Sequence, residues 1–258
     1  MHCTAEPQSI FDAYVTESND CLAVWHGCVP YSQALDLQMQ ICALKRNGFD
    51  KDVLLLLEHP PTITLGRNAN LRHLLVKEND LKSRGIGLWN VDRGGDITFH
   101  GPGQLVGYPI LLLQGSERDV RGYMGCLEES LIRLLAIYDI EGTRDPQFTG
   151  VWTQKGKIAA MGVHISRWVT RHGFALNINT DLSFYDLIVP CGIVGKGVTS
   201  IQRHLLHPMA IGEVAERYIQ EFGSIFRRNM IRVSEQDLRN ALQHYADEVG
   251  CPPHVSAV

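Results

Sequence analysis

The chain has 258 residues, 45% hydrophobic and 20% charged, with a net charge of −4. These values describe an ordinary globular protein with enough length to bury a full core, and they exclude a disordered chain. Apolar runs such as Val53 to Leu57 and Ile110 to Leu113 fall far short of the roughly 20 residues a membrane-spanning helix needs. Met1 to Pro7 lacks the basic start and apolar stretch of a secretory signal.

In chain order, residues 1–20 are polar and weakly patterned and read as a loose leader. Ser32 to Asn47 has helical spacing, with Leu35, Met39 and Cys42 on one stripe, Leu37, Ile41 and Leu44 on the next, and Gly48 as a stop. Val53 to Glu58 reads as a buried strand ended by His59-Pro60-Pro61, and Thr62 to Leu65 as a continuation of the same sheet. Asp119 is placed to cap a helix with the face Val120, Tyr123, Met124, Leu127, Leu131, Leu134 and Tyr138, stopping before Gly142. Val151 to Thr153, a turn at Gln154-Lys155-Gly156, and Lys157 to Ile165 read as a hairpin, and Phe174 to Ile178 as a further strand. Ile211 to Phe222 and Gln236 to Val249 read as closing helices, the second opened by Ser234-x-x-Asp237. Helices and strands alternate irregularly, which predicts a mixed α/β (α+β) domain and not a regular doubly wound sheet.

The seven cysteines, at 3, 21, 28, 42, 126, 191 and 251, are odd in number and form no Cys-x-x-Cys. A disulfide framework or structural zinc is not expected, and a reducing cytosol fits best. Charge is segregated. Residues 1–50 carry six acids against Lys45 and Arg46, whereas 151–210 carry Lys155, Lys157, Arg167, Arg171, Lys196 and Arg203 against Asp181 and Asp186. The basic stretch could steer an acidic partner, or be a chance mixture of solvated charges.

Three segments carry chemistry. Arg93 to Gln104 holds four glycines in twelve residues, which lets a ligand approach the backbone, and its spacing matches neither a Walker loop nor a dinucleotide fingerprint. Arg93 and His100 bracket it as anchors for a polar head; the competing reading is a tight surface turn. Cys191, between Pro190 and Gly192, is a nucleophile candidate if its thiol is exposed and activated, with Lys196 nearby, or else a buried apolar cysteine. Lys157 precedes the small, apolar Ile158-Ala159-Ala160-Met161-Gly162. A lysine drawn into such surroundings loses solvation of its charge and becomes a candidate proton acceptor; the alternative is a turn lysine facing water.

Taken together, the segments resemble the octanoyltransferase family of lipoate biosynthesis. The residues that carry the resemblance are Gly66-Arg67 after Thr62 to Leu65, Arg93 to Gln104, Gly150-Val151-Trp152, Lys157 to Gly162, His172-Gly-Phe-Ala-Leu-Asn-Ile-Asn179 and Pro190-Cys191-Gly192. It covers about residues 22–230 in motif order, with Thr149 standing where the family often has proline. The resemblance implies a mixed sheet flanked by helices, like the catalytic domains of biotin and lipoate protein ligases. The expected organisation is a leader at 1–21, a catalytic domain at 22–230 that carries the resemblance, and a helical tail at 231–258 packed on the same domain, the leader and tail having no strong family counterpart. It assigns Arg93, Gly94, Gly95, Asp96, Ile97, Thr98, Phe99 and His100 to the acyl pocket, completed by Ala160, Met161, Gly162, Gly173, Phe174 and Ala175. Cys191 becomes the acyl-thioester carrier, and Lys157 activates its thiol and shuttles the proton.

On that basis the expected reaction moves an octanoyl group from octanoyl-acyl carrier protein to a lysine of a lipoyl domain, in 2-oxoacid dehydrogenase E2 subunits and glycine cleavage H protein. A thioester donor needs no ATP and no metal. Neither nucleic acid nor membrane is an expected partner, and the expected location is the cytoplasm. An ATP-dependent lipoate or biotin ligase on the same scaffold is the alternative enzyme, but its glycine segment differs and it gives Cys191 no task. A non-catalytic lipoyl-domain binder is the third reading, and it leaves both Lys157 and Cys191 unexplained.

Overall fold

A computed structural model describes residues 19–190 and 196–250. In chain order the elements are β1 (Asp20–Cys28), α1 (Tyr31–Arg46), β2 (Asp52–Glu58), β3 (Thr62–Leu65), α2 (Glu78–Ser83), β4 (Gly87–Asn90), β5 (Ile97–His100), β6 (Gln104–Ile110), α3 (Val120–Ala136), β7 (Thr143–Arg144), β8 (Val151–Thr153), β9 (Gly156–Ser166), β10 (Val169–Asn177), α4 (Ile201–Leu205), α5 (Ile211–Phe226), β11 (Asn229–Arg232) and α6 (Glu235–Val249). The main sheet has the order β11-β1-β2-β6-β10-β9-β8-β7, with β1 parallel to both β2 and β11 and the remaining pairs antiparallel. The expected mixed sheet flanked by helices is therefore present.

β2 explains why the sequence shows a continuous apolar run. Leu54 and Leu56 enter one core with Leu127, Leu131 and Leu134 of α3 and Tyr218 and Phe222 of α5. Val53, Leu55 and Leu57 enter the other with Leu37, Ile41 and Leu44 of α1 and Leu238 and Leu242 of α6. A strand covered on both faces has no polar side to show. α3 begins as expected, its Asp119 carboxylate accepting from the Arg121 N–H, but it ends at Ala136, and Val120 is exposed.

Three expectations change. Thr62 to Leu65 does not continue the main sheet; after the Pro60-Pro61 break it forms the centre of a separate three-stranded sheet, β4-β3-β5. The sheet begins inside the supposed leader, since Asp20 and Cys21 belong to β1 and Cys21 is fully buried. The supposed helical tail likewise contains the end of a strand, because Ile231 and Arg232 pair with Leu22 and Ala23. Beyond them, α6 packs on α1 and β1 through Leu238, Leu242 and Ala246. No helix among the described residues is long and apolar enough to cross a membrane.

Candidate active site

A narrow slot lies between the main sheet and the small one. Its floor comes from two antiparallel rows in register, Ala160 with Ala175 and Gly162 with Gly173. Ala160 and Ala175 keep the floor shallow, while the glycines let protein approach closely: a Cβ on Gly162 would stand 2.6 Å from the Gly94 carbonyl oxygen, and one on Gly173 2.7 Å from the Pro109 ring. Tyr108 of β6 extends the main-sheet side, and the opposite side comes from Tyr31 at the start of α1, His100 and Thr98 of β5, and the Arg93–Asp96 loop.

Of the fourteen residues assigned by resemblance to the pocket, Arg93, Gly95, Asp96, Thr98, His100, Ala160, Met161, Gly162, Gly173, Phe174 and Ala175 line this slot. Gly94, Ile97 and Phe99 do not. Strand alternation sends Ile97 and Phe99 to the opposite face of β5, into the core beneath the small sheet, where Phe99 stacks on Phe184 at 4.7 Å. Gly94 instead pins the loop to β9 by donating its N–H to the Val163 carbonyl. Although Phe174 borders the slot, its ring packs against Tyr218 on the far side of the sheet at 4.7 Å. Tyr31, Tyr108 and His172 line the slot without having been assigned to it. His172 was legible only as a motif position.

The lining looks polar, yet many of its polar atoms are occupied by protein partners. Arg93 donates to the Thr64 carbonyl and hydroxyl and to the Gly94 carbonyl. His100 donates through Nδ1 to Gln104 Oε1 at 3.0 Å, and its Nε2 accepts from Thr64. Tyr108 donates to His59 Nε2 at 2.8 Å, while His59 Nδ1 donates to the Val29 carbonyl. His172 donates Nε2–H to Asp92 at 2.9 Å. What remains to face the slot is mostly carbon, so it suits an aliphatic chain.

Burial holds these histidines neutral. It pushes His59 down to about 4 and His172 down to about 3, and it drives His100 well below the ordinary histidine range. Each binds a proton in the unfolded chain near pH 6.5 but resists it in the fold. Stability is then full above that pH and falls on acidification toward pH 4, by about 1.4 kcal/mol per pH unit for each histidine. Denaturant unfolding between pH 7 and 4.5 should show a loss of several kcal/mol; a flat profile would contradict neutral, buried rings.

Lys157 lies further along β9 from the slot floor. It is 6% exposed, with Nζ 5.3 Å from the centre of the Trp152 ring. Gly150 makes room for it: φ is +126°, and a Cβ there would stand 2.6 Å from Lys157 Cε. The Lys157 N–H donates to the Gly197 carbonyl, and its own carbonyl accepts from Thr199, both at 2.9 Å. Cys191 itself lies outside the described residues. Of the chain before it, Val189 donates to the His73 carbonyl at 2.7 Å, and His73 in turn pairs with the slot residue Asp96. The 189 side is thus tied to the slot and the 197–199 side to Lys157.

A mixed sheet flanked by helices is the fold of lipoyl protein ligase catalytic domains, as comparison with known proteins shows. Residues 30–223 match the family model described as the lipoyl protein ligase A/B catalytic domain. The chain superposes on a T. acidophilum putative lipoate protein ligase with bound lipoic acid, with a TM-score of 0.66 at 16% identity, covering 90% of this chain and 96% of that one. Against lipoate-protein ligase A bound with ATP the TM-score is 0.65 at 15% identity, covering 91% and 96%. These structural likenesses establish the fold. Sequence similarity is closer to octanoyltransferases: 50% identity to the one from Solibacter usitatus, over 80% of this chain and 92% of its relative, and 43% to the one from Desulforamulus reducens, over 78% and 88%. The chain belongs to the octanoyltransferase family, and so among the acyltransferases of protein lipoylation.

Proposed function

We propose that the slot holds an octanoyl chain whose carbonyl end lies toward Lys157, and that the acyl group passes through a thioester on Cys191. The observation that carries this reading is the continuity of one strand. β9 supplies the slot floor at Ala160 and Gly162, then the buried Lys157, whose backbone is bonded to the chain just beyond Cys191. In the first half-reaction the Cys191 thiolate attacks the carbonyl of octanoyl-acyl carrier protein, and the carrier thiolate leaves and takes up a proton. In the second, the neutral amine of a lipoyl-domain lysine attacks the Cys191 thioester. An amide forms, the Cys191 thiolate is released, and the proton lost by the amine goes to Lys157 or directly to the sulfur.

Acceptors of this chemistry are the lipoyl domains of 2-oxoacid dehydrogenase E2 subunits and glycine cleavage H protein, reached in the cytoplasm. Exchange of one thioester for another is nearly balanced in energy, so neither ATP nor a metal is required. The deciding experiment is intact mass after mixing the protein with octanoyl-acyl carrier protein alone. An octanoyl adduct that maps to Cys191 and is lost in Cys191→Ser is expected. Modification of the lipoyl domain only when ATP and free octanoate are supplied would replace this reading with a ligase.

A further inference from the structure

The slot has a second end, opposite Lys157, and its closure is unusual. The β9–β10 register orders the rows from Ala160/Ala175 through Gly162/Gly173 to Val163/His172 and then His164/Arg171. His172 lines the slot; His164 and Arg171 do not. The ring of His172 is therefore the last group before a charged cluster built on Asp92. That carboxylate accepts from His172 Nε2 at 2.9 Å, lies 3.3 Å from His164 Nδ1, and forms a close ion pair with Arg171. Asp92 is 41% exposed while the His172 side chain is 2% exposed, so the cluster stands between the slot and water.

The backbone is bent to put the ring there. His172 has a φ of +55°, a left-handed conformation that a non-glycine residue adopts at a cost. Regular β6–β10 pairing stops at Phe174 with Gly107 and resumes only as a bridge between Leu112 and Val169. Pro109, which has no N–H to give, falls in that interval. The His172 N–H goes instead to Gln38 Oε1 of α1 at 2.8 Å. A ring held by Asp92, on a backbone still paired with β9 but released from β6, is a fixed wall and not a chance side chain.

We propose that His172, locked by Asp92, is the end stop of the slot and sets the longest acyl chain it accepts, with Asp92 as the positioning residue. This rests on the reading of the slot as the acyl site. The rows from Ala160 to Val163 span roughly 10 Å of strand, about the reach of an extended eight-carbon chain. Longer chains would have to displace the His172 ring and break its bond to a carboxylate that also holds Arg171.

The test uses the full chain and saturated fatty acids of eight, ten, twelve and fourteen carbons, with affinities from calorimetry. The wild type should bind the eight-carbon acid and discriminate against twelve carbons. Asp92→Ala should raise the twelve-to-eight affinity ratio at least tenfold. His172→Gly, which tolerates the positive φ and removes the ring, should do the same by an independent route and covers the case in which Asp92→Ala fails to fold. Asp92→Asn, whose amide oxygen can still accept from His172, should lie between wild type and the two opened variants. If eight-carbon binding persists in both opened variants with the ratio within twofold of wild type, the end stop is refuted while the acyl slot stands. An equal loss of affinity at every length also refutes it. A wild type that binds no eight-carbon acid overturns the slot reading, and the end stop with it.

Discussion

Lys157→Ala is expected to slow acylation of Cys191 and transfer to the lipoyl domain alike, each by roughly 100-fold or more, the scale of losing a positioned acid–base group. The same amine serves both steps on the proposed path. Its place is built by neighbours on three sides: the Trp152 ring at 5.3 Å, the Gly150 backbone, and the bonds to Gly197 and Thr199 that use only main-chain atoms. Because those bonds do not involve the side chain, truncation removes the amine and leaves β9 in register. Lys157→Arg separates charge from proton transfer. On the proposed path a guanidinium would keep the positive charge for the Cys191 thiolate but could not release a proton at ordinary pH. The arginine variant should therefore retain more acylation than alanine while still failing in transfer. Single-turnover rates for each half-reaction are the measurement. If Lys157→Arg transfers to the lipoyl domain as fast as wild type, Lys157 acts by charge alone and the proton takes another route.

The parts of this site legible in the sequence are those that use a local rule. The glycine-rich run from Arg93 to Gln104 and the small residues after Lys157 stand out from ordinary composition, whereas the His172–Asn179 segment is marked only by the family resemblance. β2 was readable because both its faces are covered, so five apolar residues run together. Other parts depend on long-range packing. Tyr31 lies one residue before the helix expected from Ser32, and only the fold makes it the first residue of α1 and carries it over His100, with ring centres 6.2 Å apart. Tyr108 was hidden because Gly107 and Pro109 flank it, a pattern that argues against a central strand. β6 is central all the same, since Pro109 falls where its ladder to β10 is interrupted. Ile97 and Phe99 were misplaced for the opposite reason: a motif read as one block ignores the alternation that sends every second side chain to the other face. Asp92, just outside the motif, gave no signal, because its three partners are 72, 79 and 80 residues away.

Asp52→Ala is expected to destabilise the fold by about 3–5 kcal/mol, the cost of stripping a partner from buried charge. Asp52 stands at the start of β2 and joins four parts of the chain. One carboxylate oxygen lies 2.8 Å from Lys45 Nζ at the end of α1 and accepts from the Leu112 N–H beyond β6 at 3.0 Å. The other lies 2.8 Å from Arg228 Nε, between α5 and β11. All three charged side chains are below 10% exposed. Burial alone would push Arg228 down, but hydrogen bonding to Glu117 and the charges of Asp52 and Glu117 outweigh it and raise it above the ordinary arginine value. Arginine cannot escape by losing its proton, so removing Asp52 leaves two cations in a site with one remaining carboxylate, Glu117, bonded to Arg228 at 2.7 Å. Asp52→Asn should cost less, because the amide oxygen can still accept from Leu112 while only the charge is lost. Glu78→Ala, which breaks an exposed pair with Lys82, should stay within about 0.5 kcal/mol. Urea unfolding of the three variants gives the order directly. An Asp52→Ala protein as stable as Glu78→Ala would mean that water reaches Lys45 and Arg228 in the native state, and that this junction of α1, β2 and the α5–β11 corner contributes little to holding the sheet together.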